Sequence, residues 1–161
     1  MSNFVHLHTH SEFSLLDGLA RMEDLVARTK ELGMDALALT DHGAMYGTIK
    51  FYKQAKEAGI KPVIGVEAYM ATRSRFDKQP GVDKDQFHLV LIARNNTGYK
   101  NLLKLVTLAH LEGFYYKPRI DMESLRKYSD GLICLSGCLA GEVPSLIQAG
   151  QDKAAEKKAQ E

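Results

Sequence analysis

The sequence predicts an α/β fold built on a largely parallel sheet with helices on both faces, and three observations carry that prediction. Short aliphatic and β-branched runs alternate with amphipathic stretches along the 161 residues. Those runs are almost continuously apolar, as in strands covered on both sides. Glycines fall where helices should stop, at Gly33 and Gly59. In chain order, residues 5–8 (Val-His-Leu-His) read as the first strand. Met22, Leu25, Val26, Thr29 and Leu32 trace one face of a first helix, closed by Gly33. Residues 36–40 form the second strand, and Ile49, Tyr52 and Ala55 mark the inner face of a second helix ending near Gly59. A third strand spans 62–66 and a fourth 89–93. Between them, 70–87 is polar and follows neither period, which predicts a long excursion loop. Leu102, Leu103, Leu105, Val106 and Ala109 form a third, more apolar helical face. Asp121 is placed to cap a short helix through Tyr128, and residues 132–136 read as the fifth strand. The Ala/Lys/Glu/Gln-rich stretch 151–161 has no stop signal, so the expectation is a chain cut inside a helix.

Composition narrows the class. With 45% hydrophobic and 25% charged residues the chain suits a globular domain, not a disordered, collagenous or coiled-coil protein. Its apolar runs fall far short of the roughly 20 residues that cross a bilayer, and its first residues lack the basic and apolar regions of a secretory signal. Two cysteines, Cys134 and Cys138, are too few for a disulfide framework. The expectation is a cytoplasmic protein with no membrane contact. A net charge of +1 provides no global field for nucleic acid, although a local site binds phosphate without one.

Chemistry concentrates at strand ends. His8 and His10 close the first strand, and side chains two apart in an extended chain share a face. Thr40-Asp-His42-Gly follows the second strand, and Glu67 is expected to close the third. Ligands of α/β sheets gather at the carboxyl ends of strands. Three successive strands thus bring His8, His10, His42 and Glu67 to one rim, a donor set suited to zinc, manganese or iron. Asp41 reads as a turn initiator, Asp17 as a turn residue before a helix, and His110 as a helix-end surface residue. His6 either shares the His8 face or is a core or edge histidine. Cys138 reads equally as a thiolate donor and as a structural cysteine, while His88 precedes its strand and falls outside the rim rule.

Three segments resemble a known family. They are Phe4-Val-His-Leu-His-Thr-His-Ser-Glu-Phe-Ser-Leu-Leu-Asp-Gly, Ala38-Leu-Thr-Asp-His-Gly-Ala-Met-Tyr-Gly, and Gly59-Ile-Lys-Pro-Val-Ile-Gly-Val-Glu-Ala-Tyr. The family is the polymerase and histidinol phosphatase (PHP) domain. Asn95-Asn-Thr-Gly-Tyr-Lys-Asn-Leu, Glu112-Gly-Phe-Tyr-Tyr-Lys-Pro-Arg-Ile-Asp and Leu135-Ser-Gly-Cys-Leu-Ala-Gly-Glu are similar to the branch that opens bacterial replicative DNA polymerase alpha subunits. The resemblance implies an α/β, PHP-type distorted (β/α)7 barrel of which about five βα units fall within residues 1–161, the N-terminal portion of the domain. It puts His8, His10, Asp17, His42, Glu67, His88 and Cys138 at metal-ligand positions of a divalent cluster. That cluster would hold two or three ions of zinc, manganese or iron, with magnesium as a further option. A late Asp-x-His pair of the family is not found after Cys138. The implied activity is metal-dependent phosphodiester hydrolysis, as 3′–5′ exonuclease proofreading in the longer polymerase, by a metal-activated water with no protein base assigned. DNA at the primer 3′ end, the rest of the polymerase chain and replisome subunits would be its partners. A freestanding phosphatase of the histidinol-phosphatase type and a non-catalytic, metal-stabilised scaffold are the competing readings.

Arg73, Arg75 and Lys78 in the excursion loop, with Lys117 and Arg119, are candidates for holding substrate phosphates, or are charges of a solvated loop. Tyr115 and Tyr116 either stack a base or anchor a loop.

Overall fold

A computed structural model describes residues 4–15 and 17–161. The elements follow in chain order: α1 (Met22–Glu31), β1 (Ala36–Leu39), α2 (Thr48–Glu57), β2 (Lys61–Ala71), β3 (Gln86–Ala93), α3 (Asn96–Leu111), β4 (Arg119–Ile120), α4 (Met122–Lys127), β5 (Leu132–Leu135), α5 (Glu142–Gln148) and α6 (Asp152–Gln160). The fold is α/β as expected, but its sheet is mixed. β1 and β4 both pair parallel with β2, while β3 runs antiparallel to β2 on one side and to β5 on the other. A parallel return needs a crossover, most often a helix. The link from Ala71 to Gln86 contains none, so β3 comes back reversed.

The expected first strand is not a regular strand. Residues 6–9 instead lie along the free edge of β1, where the His6 carbonyl accepts from Ala38 N–H and that of Thr9 from Thr40 N–H, each at 2.9 Å. Three residues there span what β1 covers with two, and this bulge interrupts the ladder.

Alternation along β2 separates core from site. Val66, Ala68 and Met70 pack with Leu91, Leu102, Leu105, Ala109 and Ile120 beneath α3. Ile64, on the same face, joins the cluster formed by Met22 and Val26 of α1, Leu37 and Leu39 of β1, and Phe51 and Ala55 of α2. Glu67 and Tyr69 point the other way, toward the histidines. The helices α1 to α3 therefore cover one face only, as in the wall of a barrel, and the expectation of helices on both faces is corrected. Each fully buried Leu, Val or Phe in these clusters contributes about 1.5–3 kcal/mol of transfer free energy.

Most helix signals hold. Gly33 takes a left-handed φ of 67° after α1; α3 follows its expected apolar face and starts at an N-cap not foreseen, Asn95, which accepts from Gly98 N–H. Asp121 caps α4 with a reciprocal Ser124 box. The inner face of α2 differs, being Thr48, Phe51 and Ala55 and leaving Ile49 and Tyr52 exposed. α6 occupies the 151–161 segment, while α5 and the short β4 have no counterpart in the sequence prediction.

Candidate metal centre

Glu67 organises the site. It lies inside β2, not at its end, but β1 has stopped at Leu39 and β4 begins only opposite Tyr69. The gap is bridged by a single His42–Glu67 pairing, through which the loop after β1 reaches the carboxylate. Glu67 is 1% exposed. Its Oε2 is 2.6 Å from His8 Nε2, 2.6 Å from His10 Nε2 and 3.5 Å from His42 Nε2, and its Oε1 is 2.9 Å from His88 Nδ1. Reversal of β3 explains His88: the start of an antiparallel strand lies at the rim where its neighbours end, opposite Tyr69.

Asp17 joins from the turn before α1. Its Oδ2 is 2.8 Å from His10 Nδ1 and 2.9 Å from His42 Nε2. Buried Ser14 donates to Asp17 Oδ1 at 2.7 Å and accepts from His42 N–H at 3.2 Å. Asp41 is buried and bonds Ser11 rather than the histidines. Its carboxylate accepts from both Ser11 N–H (2.6 Å) and Ser11 Oγ (2.9 Å), which ties this turn to β1. Close approach makes the turn possible, because a Cβ at Gly18 would sit 1.7 Å from the Ser11 carbonyl oxygen. Cys138 follows β5 with its Sγ 3.9 Å from His88 Nδ1.

Three overlapping groups result: His8, His10 and Glu67; His10, Asp17 and His42; and His42, Glu67 and His88. Each offers donor atoms within 4.8 Å of one another. Cys138 stands beside the third group and outside all of them. The arrangement suits cations: His8 and His10 nitrogens lie 3.1 Å apart while facing one carboxylate oxygen, and His42 Nδ1 is buried with no hydrogen-bond partner. Neutral imidazoles with shared carboxylates are the donors that divalent transition ions take.

The sequence profile of the PHP domain matches residues 6–161. The chain belongs to the PHP-domain family. It is 56% identical to a DNA polymerase III subunit alpha of Borreliella burgdorferi over 93% of this chain and 13% of that protein. With the subunit of the same name from Thermus aquaticus it shares 53% over 89% of this chain and 12% of the relative. With that of Aquifex aeolicus it shares 50% over 96% and 14%. The chain thus spans about an eighth of the length of these curated relatives. An amidohydrolase structure from Chromobacterium violaceum, with bound sulfate and no metal, aligns at TM-score 0.48 and 24% identity over 65% of this chain and 32% of its own.

Electrostatics in this PHP domain follow from the crowding. Burial pushes the Glu67 carboxyl up, but hydrogen bonds from His10, His8 and His88 outweigh it and hold the group far below the usual carboxylate range. Asp17 is lowered in the same way, its burial offset by Ser14 and His10. The Glu67 bond raises His10, whereas burial lowers His42 and favours its neutral, metal-binding form. Tyr69 stacks on His42 with ring centroids 5.3 Å apart, and burial next to Glu67 raises its hydroxyl pKa.

The candidate phosphate contacts divide. Arg119 is 1% exposed, and its guanidinium donates to the carbonyls of Gly113, Asp83 and Asp77 at 3.1, 2.8 and 2.8 Å. Buried Arg75 bonds Glu112 and Asp121 at 2.7 and 3.1 Å. Both hold the excursion loop to β4 and α4, so neither is available to substrate, which corrects that expectation. Arg73 is engaged bidentately by Asp83, and Lys78 lies exposed on the loop. Lys117 sits 5.5 Å from the centroid of the Tyr69 ring, beside the site. Tyr115 and Tyr116 pack edge to face. His110, expected at the surface, instead donates to the Gly43 carbonyl at 2.9 Å. Sequence reasoning missed Ser14 and Tyr69. Tyr69, two residues after Glu67, could have been found from strand alternation, whereas nothing marks Ser14.

Proposed function

We propose that this PHP domain is a metal-dependent phosphodiesterase at the N-terminal end of a bacterial DNA polymerase III alpha subunit. There it removes mispaired nucleotides from the primer 3′ end, in the cytoplasm, with the remaining polymerase chain and replisome subunits as partners. One observation carries the reading: His10, His42 and Glu67 each belong to two of the three donor groups, so the groups are fused into one site. His8, His10, Asp17, His42, Glu67 and His88 would hold two or three ions of zinc, manganese or iron, with Cys138 at the margin. Such a cluster supplies an activated water and stabilises charge on the departing oxygen. The protein's contribution is positional. Buried Glu67 orients the four imidazoles around it, low-pKa Asp17 remains anionic between His10 and His42, and Lys117 is the one phosphate-contact candidate left facing the site.

Metal content by mass spectrometry, on the parent and on a His8→Ala/His10→Ala variant, is the first test. At least one equivalent of transition metal in the parent, lost in the variant, is expected. A folded parent that takes up none after reconstitution overturns the metal assignment. In the longer polymerase, Glu67→Gln should then abolish release of a mispaired 3′ nucleotide while sparing polymerisation. Unchanged release would remove the exonuclease assignment and leave a scaffold role.

A further inference from the structure

A cleft of about 190 Å³ opens from the Asp17–His42 side of the site. One wall is Phe13, Ser14, Leu15 and Asp17, the other is Lys117 and Pro118, and Tyr46 and His110 contribute to the lining. Three independent features shape it. Gly43 has a φ of +60°, and a Cβ there would come within 2.8 Å of Pro118 Cγ, so only glycine lets the 117–118 segment close on the rim. Tyr116 is the only non-glycine among the described residues with positive φ, at 58°. A tyrosine in that region is strained by about 1–3 kcal/mol, which persists only where surrounding structure enforces it. It immediately precedes Lys117. Third, Lys117 has no carboxylate partner among the described residues, unlike Arg73 and Arg75; it rests over Tyr69, whose ring also stacks on His42 and meets His88 edge-on.

Tyr46 completes the cleft. Its side chain is 64% exposed, with its ring 6.3 Å from that of His110, which the Gly43 carbonyl fixes in place. An exposed aromatic ring and a cation with no carboxylate partner, lining one cleft together with Asp17 and His42, are the groups that grip a base and a phosphate of a single strand.

We propose that this cleft is the subsite for one unpaired nucleotide next to the hydrolysed bond, with Tyr46 stacked on its base and Lys117 on its phosphate. The inference rests on the phosphodiesterase reading and deepens it: the substrate is a frayed or single-stranded end, not a paired one.

The test is equilibrium binding of 5′-fluorescein-labelled hexathymidylate, with a slowly hydrolysed 3′ phosphorothioate linkage, to the manganese-loaded chain by fluorescence anisotropy. Tyr46→Leu should raise Kd about tenfold and Tyr46→Phe should restore it. Lys117→Met should raise Kd about fivefold and lower the slope of log K against log salt by about 0.7. A blunt duplex of equal length should bind more weakly than the single strand. Manganese content and melting temperature should match the parent in every variant. Three outcomes overturn the subsite: no measurable binding by the parent, Kd within twofold of the parent in both Tyr46→Leu and Lys117→Met, or equal affinity for duplex and single strand. Hydrolysis of unmodified hexathymidylate separates the two readings. Cleavage that persists while the variants bind normally rejects the subsite alone. Selective binding without cleavage by the longer polymerase rejects the phosphodiesterase and leaves only a single-strand-binding cleft.

Discussion

Ser14→Ala is the sharpest probe of how the site is built. Ser14 is 2% exposed, and its hydroxyl links two of the candidate ligands, donating to Asp17 Oδ1 at 2.7 Å and accepting from the His42 backbone at 3.2 Å. A hydrogen bond to a charged group contributes about 1.5–3 kcal/mol. The Asp17 side chain is 41% exposed, so water recovers part of the loss, and the lower end, about 1.5 kcal/mol or roughly tenfold in affinity, is the working figure. That agrees with the roughly 10–100-fold cost of removing groups that orient metal ligands. The loss should fall on the group formed by His10, Asp17 and His42 and spare the one formed by His8, His10 and Glu67. Competitive titration against a chromophoric chelator resolves successive binding steps and reads this directly. One step weakened about tenfold, with another unchanged, is the expected result. Unchanged affinity at every step refutes the positioning argument, and equal weakening of all steps refutes it too, since that is the signature of a generally loosened fold.

Other consequences follow from the same contacts. Arg119→Met removes the donor to four carbonyls, those of Gly113, Asp83, Arg75 and Asp77, and should cost about 3 kcal/mol, lowering the melting temperature by about 6–12 °C in calorimetry while metal affinity stays at the parental value. Asp121 gives a pH dependence. Burial pushes its carboxyl up, but the Arg75 and Ser124 backbone N–H groups, the Ser124 side chain and the Arg75 charge more than offset this, so its folded pKa lies below the ordinary value of 3.8. Its stabilising contribution is therefore complete above the unfolded pKa and disappears as pH falls through the folded one. Urea unfolding should show a loss below about pH 4 that Asp121→Asn flattens, at the expense of stability at pH 7. Gly43→Ala, with φ +60° and Pro118 in the way, should displace the 117–118 segment and weaken hexathymidylate binding more than metal binding; anisotropy and chelator titration compare the two.

Much of the fold was legible because helices and strands announce themselves locally. α1 and α4 appeared with a cap each and α3 by its apolar face, and β1, β3 and β5 within a few residues of their observed bounds. Strand direction was harder, because an apolar run reads alike forwards and backwards. The decisive signal was nevertheless present: 70–87 contains no helical period, and without a crossover helix a return beside β2 is antiparallel. The face of α2 was misread because two stripes share Ala55, and the choice between Phe51 and Tyr52 depends on what lies beneath. Leu37, Leu39 and Ile60 are there, and Phe51 fits against them.

The same reversal decides how much of the site could be read. His8, His10, His42 and Glu67 followed from strand ends, although Glu67 reaches the rim through a gap beside β2 and not by ending it. His88 looked anomalous only under an all-parallel assumption. Once β3 runs backwards, its N-terminal end belongs at the rim, and residue type and topology agree without the family resemblance. The arginines fail for a different reason. Arg75 meets Asp121 46 residues away and Glu112 37 residues away, and no local pattern reveals partners at that separation. Net charge therefore says little about which cations are free. Of five basic side chains proposed for phosphate, the fold consumes Arg75 and Arg119 as internal ties, engages Arg73 with Asp83 and leaves Lys78 exposed on the loop. Lys117 alone is held without a carboxylate partner beside the histidines, so position rather than basicity makes it the residue to test.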